Sequence, residues 1–303
     1  MSAAPTTPAG RLRELLDAEF IARLDSLELL TRNATRGRLP GERRSSRIGR
    51  GGEFADHRRY VPGDDLRFVD WNIFARLDQL FGKLLLAEED LTVHVVLDVS
   101  ASMATGRPSK NLAARRLAAA LGCVALGNRA RLTLSAIADG LIAHTGALRA
   151  RRGAGQLAAL LLDTPAAGPT RFDDACRHIA ALPAGHGVTI VLSDFLFQEG
   201  YAAGLRKLIR PGRDLYAIQI LSPQELDPPL SGELELRDAE TADAIALTVT
   251  PGLLESYRLE LTGYREELRT FCARHGVVFV AASSAERVEP LVLNCLRRCG
   301  LLG

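Results

Sequence analysis

Three oxygen-bearing side chains close one apolar run. In VHVVLDVSASM, Val93 to Met103, a strand-like stretch ends in Asp98, Ser100 and Ser102 at alternate positions. Three uses fit such a pattern: a helix cap, a catalytic nucleophile, or hard oxygen ligands for a metal. Two residues downstream share its character. Thr170, in AAGPTRFDDA, stands where a helix should begin, and Asp194, in VTIVLSDFL, closes a second apolar run. Carboxylates and hydroxyls in this mixture suit an octahedral Mg²⁺ or Mn²⁺ that keeps some of its waters. Because charged ligands are few, such an ion stays electrophilic and accepts an Asp or Glu carboxylate from a partner protein at its open position.

Each residue also has a plainer use. Thr170 with Asp173 has the form of a capping box, Ser100 and Ser102 can satisfy loop backbone groups, and Asp194 can serve a turn. An aspartyl nucleophile of the phosphatase kind needs a second acid two residues on, where this chain has Ser100. A nucleophile elbow of G-x-S-x-G type is absent, since DVSAS lacks both glycines. The crevice therefore reads as non-catalytic, with a Mg²⁺-dependent hydrolase in the same place as the rival. His57, His94, His144, His178, His186 and His275 show no ligand spacing, and His94, mid-strand, reads as a satisfied core histidine.

The elements that must position these residues follow from periodicity. Short runs rich in Val, Ile and Leu predict strands at Thr92–Leu97, Leu132–Ala138, Val188–Leu192, Asp214–Leu221 and Val277–Ala281. Between them, helices are expected at Ser109–Leu126, Gly155–Leu162, Arg171–Leu182, Ala202–Ile209 and Gly252–His275. This alternation predicts an α/β fold, a doubly wound and mostly parallel sheet covered on both faces. Gly140–Thr145 follows its neighbour too closely for a crossover, so it should pair antiparallel at the edge. Gly232–Val249 reads as a β-hairpin inserted at about 230–250. In such a sheet, ligands bind beyond the carboxyl ends of strands where the strand order reverses, which is where Asp98 and Asp194 would meet if their strands are neighbours.

Ahead of the sheet, residues 1–34 carry an amphipathic helix over Arg11–Arg32, and 35–90 is a smaller segment of short strands and turns leading to an α/β domain over 91–303. Phe68, Trp71 and Phe74 read as core of that segment. Asp64, Asp65, Asp70 and Arg67 read as an ion-pair network tying it to the sheet.

Over 303 residues, 47% hydrophobic and 24% charged composition fits a globular protein rather than a disordered one. A net charge of +2 excludes a globally basic nucleic-acid binder. The Arg-rich stretch Thr35–Gly52 is a local candidate for phosphates, but Glu42, Glu53 and Asp56 break up its neighbourhood and aromatics are few. The five cysteines are scattered without a C-x-x-C pair, which argues against a disulfide framework or a zinc site. The N-terminus lacks a charged region followed by an apolar core, and the apolar run from Leu117, LAAALGCVALG, falls short of the ~20 residues of a membrane span. A cytoplasmic location is the expectation.

The set Asp98-Val-Ser100-Ala-Ser102, with Thr170 and Asp194 in order behind it, resembles the D-x-S-x-S, T, D pattern of von Willebrand factor type A domains. The preceding text, Gly49–Asp90, resembles the segment that leads into such a domain in bacterial domain-of-unknown-function family 58. This resemblance implies a metal-ion-dependent adhesion site with those five residues as ligands. Members of the family are commonly encoded beside MoxR-type AAA+ ATPases, which implies a partner of that kind.

Overall fold

The N-terminal apolar pattern folds as two short helices, α1 (Pro8–Leu12) and α2 (Ala18–Leu24), and not as the one helix expected. The break falls at Asp17, whose backbone is extended ahead of α2; Asp competes with helical hydrogen bonding and favours such boundaries. Of the periodic residues, Leu12, Leu15, Leu16, Leu24 and Leu27 lie in the main core and Ile21 packs partly buried against it, while Phe20, which the spacing did not pick out, is also buried. Asn128 clamps the segment in place: its Nδ2 donates to the carbonyls of Leu27 (2.7 Å) and Val124 (2.8 Å). Leu29 forms an antiparallel bridge with Leu302.

The computed structural model describes residues 8–27, 29, 54–85, 91–183, 185–241 and 243–302. They belong to two compact units, one of 1–34 with 91–303 and the other of 35–90. The Arg-rich stretch, except for its flank from Phe54, lies outside the described residues.

In the smaller unit, β1 (Phe54–Arg59) pairs antiparallel with β2 (Phe81–Leu85) around a short helix, α3 (Trp71–Leu77). Asp70 organises it. One of its oxygens caps α3 through the Asn72 and Ile73 amides, and the other meets His57 Nε2 at 3.0 Å and Lys83 at 3.5 Å. The His57 hydrogen bond is the main reason that its carboxyl sits low, at about 2. Asp64 pairs with Arg58 and Asp65 with Arg67, so these pairs are internal to the unit. Trp71 and Phe74 are not core: they are 59% and 37% exposed. Among the described residues of this unit, a two-stranded ribbon and two short helices offer little surface to cover them.

The larger unit is a mixed α/β structure. Its elements in chain order are β3 (Thr92–Asp98), α4 (Lys110–Gly127), β4 (Arg131–Ala138), β5 (Gly140–His144), α5 (Ala154–Asp163), α6 (Phe172–Ala181), β6 (Gly187–Ser193), α7 (Ala202–Leu208), β7 (Arg213–Leu221), α8 (Pro223–Leu226), β8 (Gly232–Arg237), β9 (Ala244–Val249), α9 (Pro251–Arg274) and β10 (Val278–Ser283). Six strands form the sheet in the order β10-β7-β6-β3-β4-β5. All neighbours are parallel except β4 and β5, the edge hairpin that the short connection predicts. β3 is buried along nearly its whole length because both faces are covered: Val93, Val95 and Leu97 join the core that includes residues of α4 and α5, while Val96 joins the one that includes residues of α6 and α7. Close packing is enforced at Gly122 of α4, where a Cβ would stand 2.4 Å from Leu157 of α5.

From β3 the chain runs outward in two directions, to β4 and later to β6, so the order reverses between β3 and β6. β8 and β9 pair antiparallel as a separate hairpin. Among the described residues, no helix is long and apolar enough to cross a membrane.

Candidate functional crevice

Asp98 ends β3, and Asp194 follows directly after β6, the parallel neighbour of β3. Both carboxylates are therefore delivered to the same side of the switch point by strand register alone. Both side chains are buried. The loop after β3 is stitched to the loop between α5 and α6: Ala101 N–H donates to the Gly168 carbonyl and Ala167 N–H to the Val99 carbonyl, each at 2.9 Å. Those two bonds bring the loop that carries Thr170 against the loop that carries Ser100 and Ser102.

Each predicted residue has a definite environment. Asp98 Oδ1 accepts the Ser100 amide at 2.9 Å, and Oδ2 accepts the Ser193 hydroxyl at 2.6 Å. Burial first, then the charge of Asp194, pushes the Asp98 carboxyl well above the usual carboxylate range, against the pull of Ser193 and Ser100. Ser100 and Ser102 turn their hydroxyls toward each other, 2.9 Å apart, rather than onto the loop backbone. Asp194 Oδ1 accepts the Leu196 amide at 3.1 Å.

Thr170 departs from the capping-box reading. The residue ahead of α6 in the cap position is Arg171, and no side chain caps that helix. The donors of Thr170 go elsewhere: its amide donates to Glu240 Oε2 at 2.9 Å and its hydroxyl to Glu240 Oε1 at 3.0 Å. Glu240 lies in the turn between β8 and β9.

The main surprise is Lys110, the first residue of α4. Its side chain is 1% exposed, and its Nζ stands 2.7 Å from Asp194 Oδ2 and also pairs with Glu225. Burial works against its charge, but the two carboxylates outweigh burial and raise its pKa above the ordinary lysine value. Glu225 serves twice, since it also closes a capping box with Ser222 at the start of α8.

Sequence reasoning missed Lys110, Ser193, Glu225 and Glu240. Two left a signal. A lysine opening a helix opposes the helix dipole and asks for a compensating anion, and Ser-Pro-Gln-Glu is a legible capping box. Ser193 and Glu240 left none.

The donor chemistry fits a hard divalent cation in one respect that counts. Asp194 and Glu225 share a single ammonium, which leaves one negative charge, and burial beside Asp194 makes ionising the Asp98 carboxyl costly. That surplus, buried, is what a divalent cation would relieve, and the facing hydroxyls of Ser100 and Ser102 are suitable neutral ligands. Among the described residues, no group of three His, Cys, Asp or Glu side chains is arranged to hold an ion. A cation here would depend on the hydroxyls.

Comparison with known proteins gives a family without an activity. The family model described as "Protein of unknown function DUF58" matches residues 56–262. Uncharacterized proteins of Mycobacterium bovis and Mycobacterium tuberculosis are each 27% identical over 267 residues, covering 86% of this chain and 84% of theirs. Among solved structures, the conserved hypothetical protein BatB from Bacteroides thetaiotaomicron is 15% identical, with a TM-score of 0.40 over 69% of this chain and 98% of that one. The pilus adhesin SpaC from Lactobacillus rhamnosus GG is 12% identical, with a TM-score of 0.45 over 71% of this chain and 31% of that one.

Proposed function

The chain belongs to the DUF58 family, whose description assigns no activity, and from its crevice we propose a non-catalytic, divalent-metal-dependent protein-interaction module built on a von Willebrand factor A-like domain. The observation that carries this reading is the meeting of Asp98 and Asp194, from adjacent parallel strands, beside hydroxyls of Ser100 and Ser102 that point at each other. Asp98, Ser100, Ser102 and Thr170 would hold Mg²⁺ or Mn²⁺, with Asp194 acting at one remove because Lys110 already engages one of its oxygens. The ion would supply an open position for an Asp or Glu carboxylate of a partner.

The chain's own groups argue for binding over bond-breaking. Ser100 and Ser102 are hydrogen-bonded to each other, and Ser193 donates to Asp98 while accepting the Phe195 amide at 2.9 Å. None of these bonds pairs a serine with a histidine base, the commonest way of activating a serine nucleophile. The partner we propose is a MoxR-type AAA+ ATPase, with the module acting as its adaptor in protein assembly or remodelling.

The test is capture of a MoxR-type ATPase from the same genome by the full chain, with Mg²⁺, with EDTA, and with Asp98→Ala. Binding in Mg²⁺ that EDTA and the substitution both abolish is the expected result; binding unchanged in all three overturns the metal-dependent reading. Turnover of a generic phosphoester that Asp98→Ala abolishes in a folded protein would favour a hydrolase instead.

A further inference from the structure

We propose that Glu240 is a carboxylate ligand that the chain supplies to its own crevice: the tip of the β8–β9 hairpin occupies, in cis, the position beside Thr170 that a partner's Asp or Glu would take. The inference rests on the metal-site reading above and names what regulates that site.

Three observations carry it. First, the contact is bidentate and long-range, with both Glu240 oxygens accepting from Thr170 across 70 residues of chain. A carboxylate that takes both the N–H and the O–H of a predicted ligand is chemically what an incoming ligand would be. Second, the tip is built to present that side chain. Asp238 Oδ1 accepts the amides of Glu240 (2.7 Å) and Thr241 (3.0 Å), and Asp238 N–H closes the turn onto the Asp243 carbonyl at 2.8 Å. The tip thus reaches the crevice at the loop that carries Thr170. Third, the arms of the hairpin are mostly exposed while Glu240 itself is half-buried. Of the hairpin's strand residues, only Val249, at the far end of β9 from the tip, is buried, so packing of the strands does not explain why Glu240 is there.

Electrostatics sharpens the point. Asp194 and Glu225 share one ammonium, and the charge of Asp194 already acts on the Asp98 carboxyl. A further carboxylate is repelled by such a neighbourhood unless a cation joins it. Coordination in cis would give Glu240 its reason, and a partner carboxylate would have to displace the hairpin tip to bind.

The experiment titrates Mg²⁺ alone into the full chain by calorimetry and follows amide hydrogen exchange of residues 238–243 with and without Mg²⁺. Four proteins are compared: the natural sequence, Asp98→Ala, Glu240→Gln and the control Glu233→Gln on an exposed part of β8. Glu240→Gln keeps the shape and removes the charge. Expected are Mg²⁺ affinity at least about tenfold weaker in Glu240→Gln, slowed exchange at the tip on adding Mg²⁺ in the natural sequence but not in that variant, and a control that matches the natural sequence. Mg²⁺ binding lost in Asp98→Ala but unchanged in Glu240→Gln, with tip exchange insensitive to Mg²⁺, overturns the inference and leaves the metal site standing. Absence of Mg²⁺ binding in the natural sequence overturns both.

Discussion

Lys110→Met removes a buried ammonium while keeping most of the stem, so it separates charge from packing. Lys110 and Asp194 are each 1% exposed and 2.7 Å apart, and no solvent can replace the lost partner. Deleting one member of such a pair costs about 3–5 kcal/mol, mostly because the other charge stays buried and uncompensated. Glu225 loses the same partner but its side chain is 22% exposed, so it rehydrates and adds at most about 1 kcal/mol. The expected loss is therefore about 3–5 kcal/mol in EDTA, measured by urea denaturation of the full chain. Magnesium should then rescue the variant more than it stabilises the natural sequence, because the ion takes over the neutralisation of Asp194. At a hundredfold excess over Kd, a ligand specific for the folded state contributes about 2.7 kcal/mol. A loss below about 1 kcal/mol would refute the assigned importance of the pair. An equal effect of magnesium on both proteins would refute the link between Lys110 and the cation.

Two further predictions rest on other parts of the larger unit. His94 is held neutral in the fold, its pKa lowered to about 3 by burial first and then by Arg213, His144 and Arg210, with Nε2 2.8 Å from Ser135 Oγ. Below its ordinary value of about 6.5 only the unfolded chain takes up the proton, so this contribution is intact above that pH and is lost toward acid by about 1.4 kcal/mol per pH unit. Between about pH 7 and pH 5 that amounts to about 2 kcal/mol, and urea titrations of His94→Asn should show a correspondingly flatter pH dependence. Cys176 and Cys272 are fully buried thiols with raised pKa values, both chiefly through burial and the latter to about 11. Mass spectrometry after brief iodoacetamide treatment of the folded chain should find both unmodified and Cys123 or Cys299, which are partly exposed, modified first; equal labelling would contradict the packing described.

The strands and the positions of Asp98 and Asp194 were legible because a strand buried on both faces writes itself as an unbroken apolar run, and a polar residue ending that run stands out. That β3 and β6 are neighbours was only a condition of the sequence reading, and the fold supplies it. Lys110 was hidden for the opposite reason. Helix starts favour acids, and only the tertiary juxtaposition with Asp194 and Glu225, 84 and 115 residues away, turns a lysine there into a stabilising residue. The plain reading of Thr170 fails on register: its spacing to Asp173 matches a capping box, but α6 starts one residue later, with Arg171 in the cap position. The exposed Trp71 and Phe74 show the limit of residue type as a guide to burial, since apolar side chains are buried only where a large enough surface exists to cover them.

Glu225 and Glu240 both come from the single stretch between β7 and α9, the part that departs from simple alternation of strand and helix. One holds the ammonium that neutralises Asp194, and the other holds the donors of Thr170. The crevice thus contains residues of the strand ends, which set its position, and residues of this later stretch, which set its charge. Those two sets can change independently: lengthening or shortening the hairpin would alter which carboxylate faces Thr170 without disturbing the sheet register that joins Asp98 to Asp194. Strand register brings Asp98 and Asp194 together, and the hairpin places Glu240 on Thr170. Selectivity between related chains should therefore be sought between residues 222 and 250, where a swap exchanges the occupant of the crevice and leaves its walls in place.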